Sequence, residues 1–327
     1  MKKKTTMQDI ADKLGITKVS VSKALGDKPG VSDSLRREII QTAGEMGYVV
    51  SQPTEDKKSF AFVVPKRFFL ETDKFYSAIF YYLSNLCMEK GFSFAPVVLS
   101  LKSEDTAEDY SFYEGFDGIY IAGELSDNYI NMLQRTAKPL VAIDFYKTYF
   151  DASYVLIDNF YIGYHATCHL IEQGHRKIGF VGNISQTSSI NDRYYGYLKA
   201  LETNGLPFKN EWVFPNNNPQ TGLYNMDVSF PSPLPTAFVC HCDMAAYFLS
   251  NSLKNIGKSV PQDISLISFD NTELSEAFGL TSMDINKKEI AETAFYVMDK
   301  IIHKEKHRNR YYVSTRLINR ESVRALM

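Results

Sequence analysis

Apolar positions fall into two regimes along this chain. Up to about residue 50 they recur at helical spacing: Met7, Ile10, Ala11 and Leu14 share one face of a first helix. Thr6 is a candidate N-cap with Asp9 three residues on, and Gly15 supplies a left-handed terminus. Thr17 is a second N-cap candidate. The helix over Lys18–Leu25 turns Val21 and Leu25 inward and its lysines and hydroxyls elsewhere. Gly26, Pro29 and Gly30 form a turn, and a third helix from Ser32 buries Leu35, Ile39, Ala43 and Met46. Two short helices on a tight turn with a brace describe a helix-turn-helix, although a three-helix cap with a solvated polar face has the same spacing.

From Phe60 onward short apolar runs alternate with longer helix-like stretches. Strands are expected at Phe60–Val64, Ser93–Leu99, Gly118–Ala122, Leu140–Ile143, Tyr154–Ile157, Ile178–Val181, Ala237–Cys240 and Ile264–Phe269. Helices are expected at Phe75–Glu89, Ile162–Glu172, Tyr195–Glu202, Met244–Leu253 and Glu289–Ile302. Such alternation predicts an α/β body with parallel sheets covered by helices, behind an all-α head. The division follows: head 1–50, a linker 51–59 broken by Pro53, Glu55 and Asp56, and a body 60–327.

Composition narrows the classes. At 327 residues with 44% hydrophobic and 23% charged residues, disorder and fibrous repeats are excluded. No uncharged apolar run approaches a bilayer span, and Met1-Lys2-Lys3-Lys4 is not followed by a signal-peptide core, so a cytoplasmic protein without membrane contact is expected. The net charge of −2 hides an asymmetry: nine Lys/Arg against six Asp/Glu in residues 1–50, and 27 against 32 in the remainder. A basic head on an acidic body suits phosphate neutralisation by the head alone.

Cys87, Cys168, Cys240 and Cys242 are too few and too scattered for a disulfide framework. Cys240-His241-Cys242 lacks a second ligand pair, and His165 with His169 lacks the glutamate of a zinc-protease pattern, so no metal and no cofactor are expected. No phosphate-cradling loop or nucleophile elbow occurs, and no catalytic residue is assigned.

Several stretches carry a resemblance in order and spacing. In the head these are Met7-Gln8-Asp9-Ile10-Ala11, Gly15-Ile16-Thr17, Val21-Ser22-Lys23-Ala24-Leu25 and Lys28-Pro29-Gly30-Val31-Ser32. In the body they include Leu140-Val141-Ala142-Ile143-Asp144, Gly174-His175-Arg176-Lys177-Ile178-Gly179-Phe180-Val181, Arg193-Tyr194-Tyr195-Gly196-Tyr197 and Ile264-Ser265-Leu266-Ile267-Ser268-Phe269-Asp270. Over nearly its whole length the chain resembles the lactose-repressor (LacI/GalR) family of transcription regulators. The resemblance implies a homodimer on pseudo-palindromic double-stranded operator DNA, with a small effector, a sugar above all, between two Rossmann-like lobes joined by three crossings. It further implies that Lys18, Val19 and Lys23 read bases, that Thr6, Thr17 and Ser22 approach phosphates, and that Phe75, Tyr76, Asp144, Arg193, Cys242 and Asp270 line the effector cleft.

Departures from the family pattern are equally specific. Gly26 stands where asparagine is usual, and Cys242 where an effector-contacting asparagine is common. The linker has no leucine to wedge into a minor groove and carries Glu55 and Asp56, so less DNA kinking is expected; Pro53 can still begin an acidic hinge helix. Asp158, Asn159 and Asp243 read as helix-start residues. Asp144 and Asp270 have capping as their other reading, Arg193 a structural ion pair, and Phe75 and Tyr76 core packing. A sugar receptor for transport or a sugar-acting enzyme are the rival functions, the first needing an export signal and the second an acid–base pair.

Overall fold

The computed structural model describes residues 5–25, 29–46, 48, 57–70, 74–106, 109–225 and 227–326. Gly26 and the hinge residues Pro53, Glu55 and Asp56 lie outside them. The chain divides into two compact units at Lys58/Ser59, so Ser59 belongs to the body rather than the linker.

The head is three helices: α1 (Met7–Leu14), α2 (Lys18–Leu25) and α3 (Asp33–Glu45). Thr6 and Asp9 form a reciprocal capping box on α1, and Gly15 ends it at φ 66°. Thr17 Oγ1 accepts from Ser20 N at 3.1 Å, and Ser32 caps α3. Ile10, Ala11, Val21, Ala24, Ile39 and Ala43 form the buried core. The inner residue of the last turn of α2 is Ala24, whereas Leu25 is only half-buried. A chain that must pack against two neighbours at once turns a small residue toward the closer one.

The body holds two six-stranded sheets. The first lobe contains β1 (Ser59–Pro65), α4 (Phe75–Glu89), β2 (Ser93–Leu99), α5 (Leu101–Asp105), β3 (Gly118–Ala122), α6 (Asp127–Gln134), β4 (Leu140–Ile143) and β5 (Ser153–Leu156). Helix α7 (Asn159–Glu172) opens the second lobe, followed by β6 (Ile178–Val181), α8 (Ser188–Thr203), β7 (Val213–Phe214), β8 (Ala237–Cys240) and α9 (Asp243–Asn255). Then come β9 (Ser265–Asp270), α10 (Glu273–Ala277), β10 (Thr281–Ile285), α11 (Lys287–Ile302), β11 (Arg310–Tyr312) and β12 (Thr315–Ile318).

Strand order is β11-β5-β4-β3-β1-β2 in the first sheet and β12-β10-β9-β8-β6-β7 in the second. All pairs are parallel except β10 with β12. The chain therefore passes between lobes three times, after β5, after β10 and between β11 and β12. Central strands are buried on both faces, which is why β1 and β8 read as unbroken apolar runs. Among the described residues no helix is long and apolar enough to cross a membrane.

Two extents differ from expectation in ways that matter. Helix α8 begins at Ser188, seven residues before Tyr195, so Arg193 lies within its second turn. Strand β9 runs to Asp270, one residue past Phe269, which places that carboxylate at the strand tip.

Candidate functional site

On the head, Thr6, Thr17, Lys18, Val19, Ser22 and Lys23 are all exposed. Val21 and Ala24 anchor α2, leaving Lys18 with Ser22 and Val19 with Lys23 one turn apart on its outer surface. Val19 is 62% exposed, an apolar side chain with no packing duty in the head. Both threonine hydroxyls already serve as caps: Thr6 Oγ1 meets Asp9 Oδ2 at 2.7 Å and Thr17 Oγ1 meets Ser20 Oγ at 3.0 Å. They fix the helix starts that aim the other four side chains.

In the body, Phe75, Tyr76, Asp144, Arg193, Cys242 and Asp270 all border one cavity of about 80 Å³ between the lobes. Asp144 follows β4 at φ 64° and Asp270 ends β9 at φ 96°, with Asn271 at φ 46°. Left-handed backbone at bulky residues costs on the order of 1–3 kcal/mol, and it turns both carboxylates out of their sheets toward the gap.

Arg193 stands between the two carboxylates, 4% exposed. Its Nε donates to Asn159 Oδ1 at 2.8 Å, Nη1 donates to the His241 carbonyl, and Nη2 lies 3.6 Å from Asp270 Oδ1. The guanidinium also covers the Phe269 ring at 4.8 Å. Tyr76 Oη donates to Asp144 Oδ2 at 2.8 Å, and Asn159 Nδ2 approaches Oδ1 at 3.5 Å. Burial holds the Asp144 carboxyl above the usual carboxylate range, against the pull of the Arg193 charge and the Tyr76 hydrogen bond. Asn159 thus links the lobes, while Asp158 caps α7 by accepting from Tyr161 N at 2.9 Å. Phe75 and Tyr76 serve twice, packing edge-to-face at 5.0 Å in the core and presenting rings to the cavity.

Asp243 is not a cap. The N-cap of α9 is Cys242, whose Sγ accepts from Ala245 N at 3.4 Å. The Asp243 side chain turns inward and accepts from Ser268 Oγ at 2.6 Å, Ser282 Oγ at 2.7 Å and Thr272 N at 2.6 Å. A carboxylate buried this deeply needs such donors, and Cys242 leaves it free to take them by capping the helix. Cys240 lies buried in β8, its thiol pushed up by desolvation.

Three contributors escape sequence reasoning. Tyr224, in the loop after β7, stacks between His241 (14°) and Phe248 (18°) and meets Cys242 Sγ at 3.0 Å. His241 carries its proton on Nδ1, since the Val181 carbonyl 3.2 Å away can only accept; burial lowers its pKa to about 4. Glu124, after β3 in the first lobe, accepts from Ser188 N at 2.7 Å, the first residue of α8 in the second. His241 stands out in the sequence only as the middle of Cys240-His241-Cys242, and Tyr224 and Glu124 follow no periodic or motif signal.

Residues 167–323 match a periplasmic binding protein-like domain. The chain is 28% identical over 335 residues to the HTH-type transcriptional repressor PurR of Pectobacterium atrosepticum, covering 97% of this chain and 96% of that one. The PurR repressor of Glaesserella parasuis is 25% identical, covering 88% and 87%. Among solved structures, the transcriptional regulator CelR–cellobiose complex shares the fold at TM-score 0.69, with 23% identity over 98% of this chain and 100% of that one. The lac repressor dimer bound to operator and an anti-inducer does so at 0.69, with 17% identity over 99% and 100%. With a capped three-helix head and a two-lobed body crossed three times, the chain is similar over nearly its whole length to these transcriptional repressors.

Proposed function

We propose that this regulator is a cytoplasmic, homodimeric repressor that binds a pseudo-palindromic operator through its head and a carbohydrate effector in the cleft. The observation that carries the carbohydrate reading is the pair of strand-tip carboxylates, Asp144 and Asp270, flanking Arg193 in one buried cavity. Carboxylates accept from vicinal hydroxyls, a guanidinium donates to ring and hydroxyl oxygens, and the Phe75 and Tyr76 rings offer apolar faces to a sugar's C–H groups. CelR, of the same fold, was solved with cellobiose. Cys242 puts a thiol, a weak donor and acceptor, on the wall of the cavity.

The head reading assigns Lys18, Val19 and Lys23 to base edges and Ser22 to phosphate, with Thr6 and Thr17 near phosphates as helix-start residues. A second copy fits the exposed apolar side chains of the first lobe, Tyr81 and Met88 on α4 and Val98 on the edge strand β2. Two-fold symmetry then sets half-site symmetry in the operator. Residues 51–58 serve as the hinge between head and body. Effector that favours closed lobes changes operator affinity 5–150-fold for a coupling of about 1–3 kcal/mol.

A thermal-shift panel of sugars, sugar phosphates and nucleobases tests the reading. A sugar at about a hundredfold its Kd should raise Tm on the order of 5 °C and alter a gel shift on the cognate operator. A panel in which a nucleobase shifts Tm and no sugar does rejects it.

A further inference from the structure

A second chamber adjoins the first, on the side where the chain crosses from β5 into α7. It measures about 300 Å³ and shares Asp144 and Ser189 with the smaller one as a common wall. The chamber beyond Asp144 is thus larger than the one that Asp144, Arg193 and Asp270 border together. We infer that this chamber receives a second sugar ring, covalently joined to the one held by Asp144, Arg193 and Asp270, so that the effector is a disaccharide. The inference rests on the carbohydrate reading above and deepens it.

The walls fit a neutral polyol. Tyr146 and Tyr312 from the first lobe and Phe160 from the second are 40%, 60% and 44% exposed, and all three border the chamber. Aromatic faces left bare at the edge of a cavity suit the C–H face of a pyranose. Arg310, beside Tyr312 on edge strand β11, makes no ion pair among the described residues. Its guanidinium has donors to spare for hydroxyl oxygens. Ser188 Oγ is shielded from solvent without a hydrogen-bond partner among the described residues. Such a group calls for a partner that the protein does not supply.

Charge limits the ligand further. Asp144, Asp158 and Asp192 face Arg310 as the chamber's one cation among the described residues, a balance that repels an anionic group. Burial, together with the Asp158 and Asp144 charges, raises the Asp192 carboxyl above its ordinary range. Among the described residues no three carboxylates, histidines or cysteines converge on a point that would hold a metal ion. Hydroxyl donors on a neutral ring answer these acceptors without adding charge.

Calorimetric titration of the full-length protein tests this, using glucose with cellobiose and maltose, and galactose with lactose and melibiose. At least one disaccharide should bind about tenfold tighter than its component monosaccharides, a gain of roughly 1.4 kcal/mol. Combining Arg310→Ala with Tyr312→Ala should remove that advantage and leave monosaccharide affinity unchanged. Both residues are exposed on an edge strand, and unaltered operator binding in a gel shift shows that the variant is folded. A monosaccharide that binds as tightly as its disaccharides overturns the second ring while sparing the carbohydrate reading, as does a variant that weakens both alike. A series in which no sugar of either size binds rejects the carbohydrate reading, and the second ring falls with it.

Discussion

His241 shows how a single side chain ties the cleft to solution conditions. Its imidazole is neutral in the fold and protonates only near pH 4, whereas in an unfolded chain it does so near 6.5. The unfolded state therefore binds the proton first as pH falls, and stability present above pH 6.5 is lost progressively toward pH 4. By pH 5 the loss should reach about 2 kcal/mol. Urea unfolding at pH 7.5 and pH 5 should show a smaller drop for His241→Asn, which keeps a donor for the Val181 carbonyl. On the head, Lys18→Ala with Val19→Ala should relax base preference in a selection on randomised half-sites, each lost contact being worth about 1–3 kcal/mol. Lys23→Ala should likewise relax preference at the base that it reads, at a cost of about 1–3 kcal/mol.

Helices α7 and α8 illustrate what elements contribute. They cross where Gly163 and Gly196 face one another: a Cβ on Gly163 would lie 2.2 Å from the Arg193 carbonyl oxygen, and one on Gly196 would lie 2.1 Å from that of Phe160. Backbone cannot yield as a side-chain tip does. Gly196→Ala should therefore force the helices apart, cost about 1–3 kcal/mol in thermal unfolding, and shift Arg193 enough to weaken effector binding along with stability. Strands were legible to different degrees for the same kind of reason. Central parallel strands such as β3 and β4 are buried on both faces and advertise themselves as apolar runs. Strand β10 escaped notice because its Ser282 is spent on Asp243 and its Asp284 on Asn271 and Arg316. Edge strands β7, β11 and β12 are two to four residues long and mixed in polarity.

At the scale of the molecule, the body is latched across its cleft by few contacts. Glu124 accepts from the start of α8, and Gly222 at φ 74° abuts the Arg67 carbonyl so closely that a Cβ there would lie 2.3 Å away. Glu124→Ala removes a charged acceptor worth about 1 kcal/mol to the closed arrangement. Effector affinity should fall about fivefold with the operator affinity of the unliganded protein unchanged. DNA geometry is a second property of the whole. With no leucine in residues 51–59 to separate base steps, the operator should bend less than the roughly 80° of a TBP-type kink. Circular-permutation gel shifts on the cognate operator check this directly.

The sequence by itself determined the head almost completely, because caps, glycine termini and the 3.6-residue period are local and act within a few residues. It also determined the parallel α/β class and pointed to six cleft residues through their places at strand tips and helix starts and through family pattern. Tertiary structure decided which side chains complete the cleft. Tyr224, His241 and Glu124 come from segments 100 residues or more apart along the chain in the case of Glu124 and Tyr224, and their roles arise only when two sheets face each other. It also decided that Asp243 turns inward, since the donors of Ser268, Thr272 and Ser282 gather around it only after β9 and β10 pair. Local signals fix what a segment becomes; burial and charge balance, which depend on distant partners, fix what its side chains do.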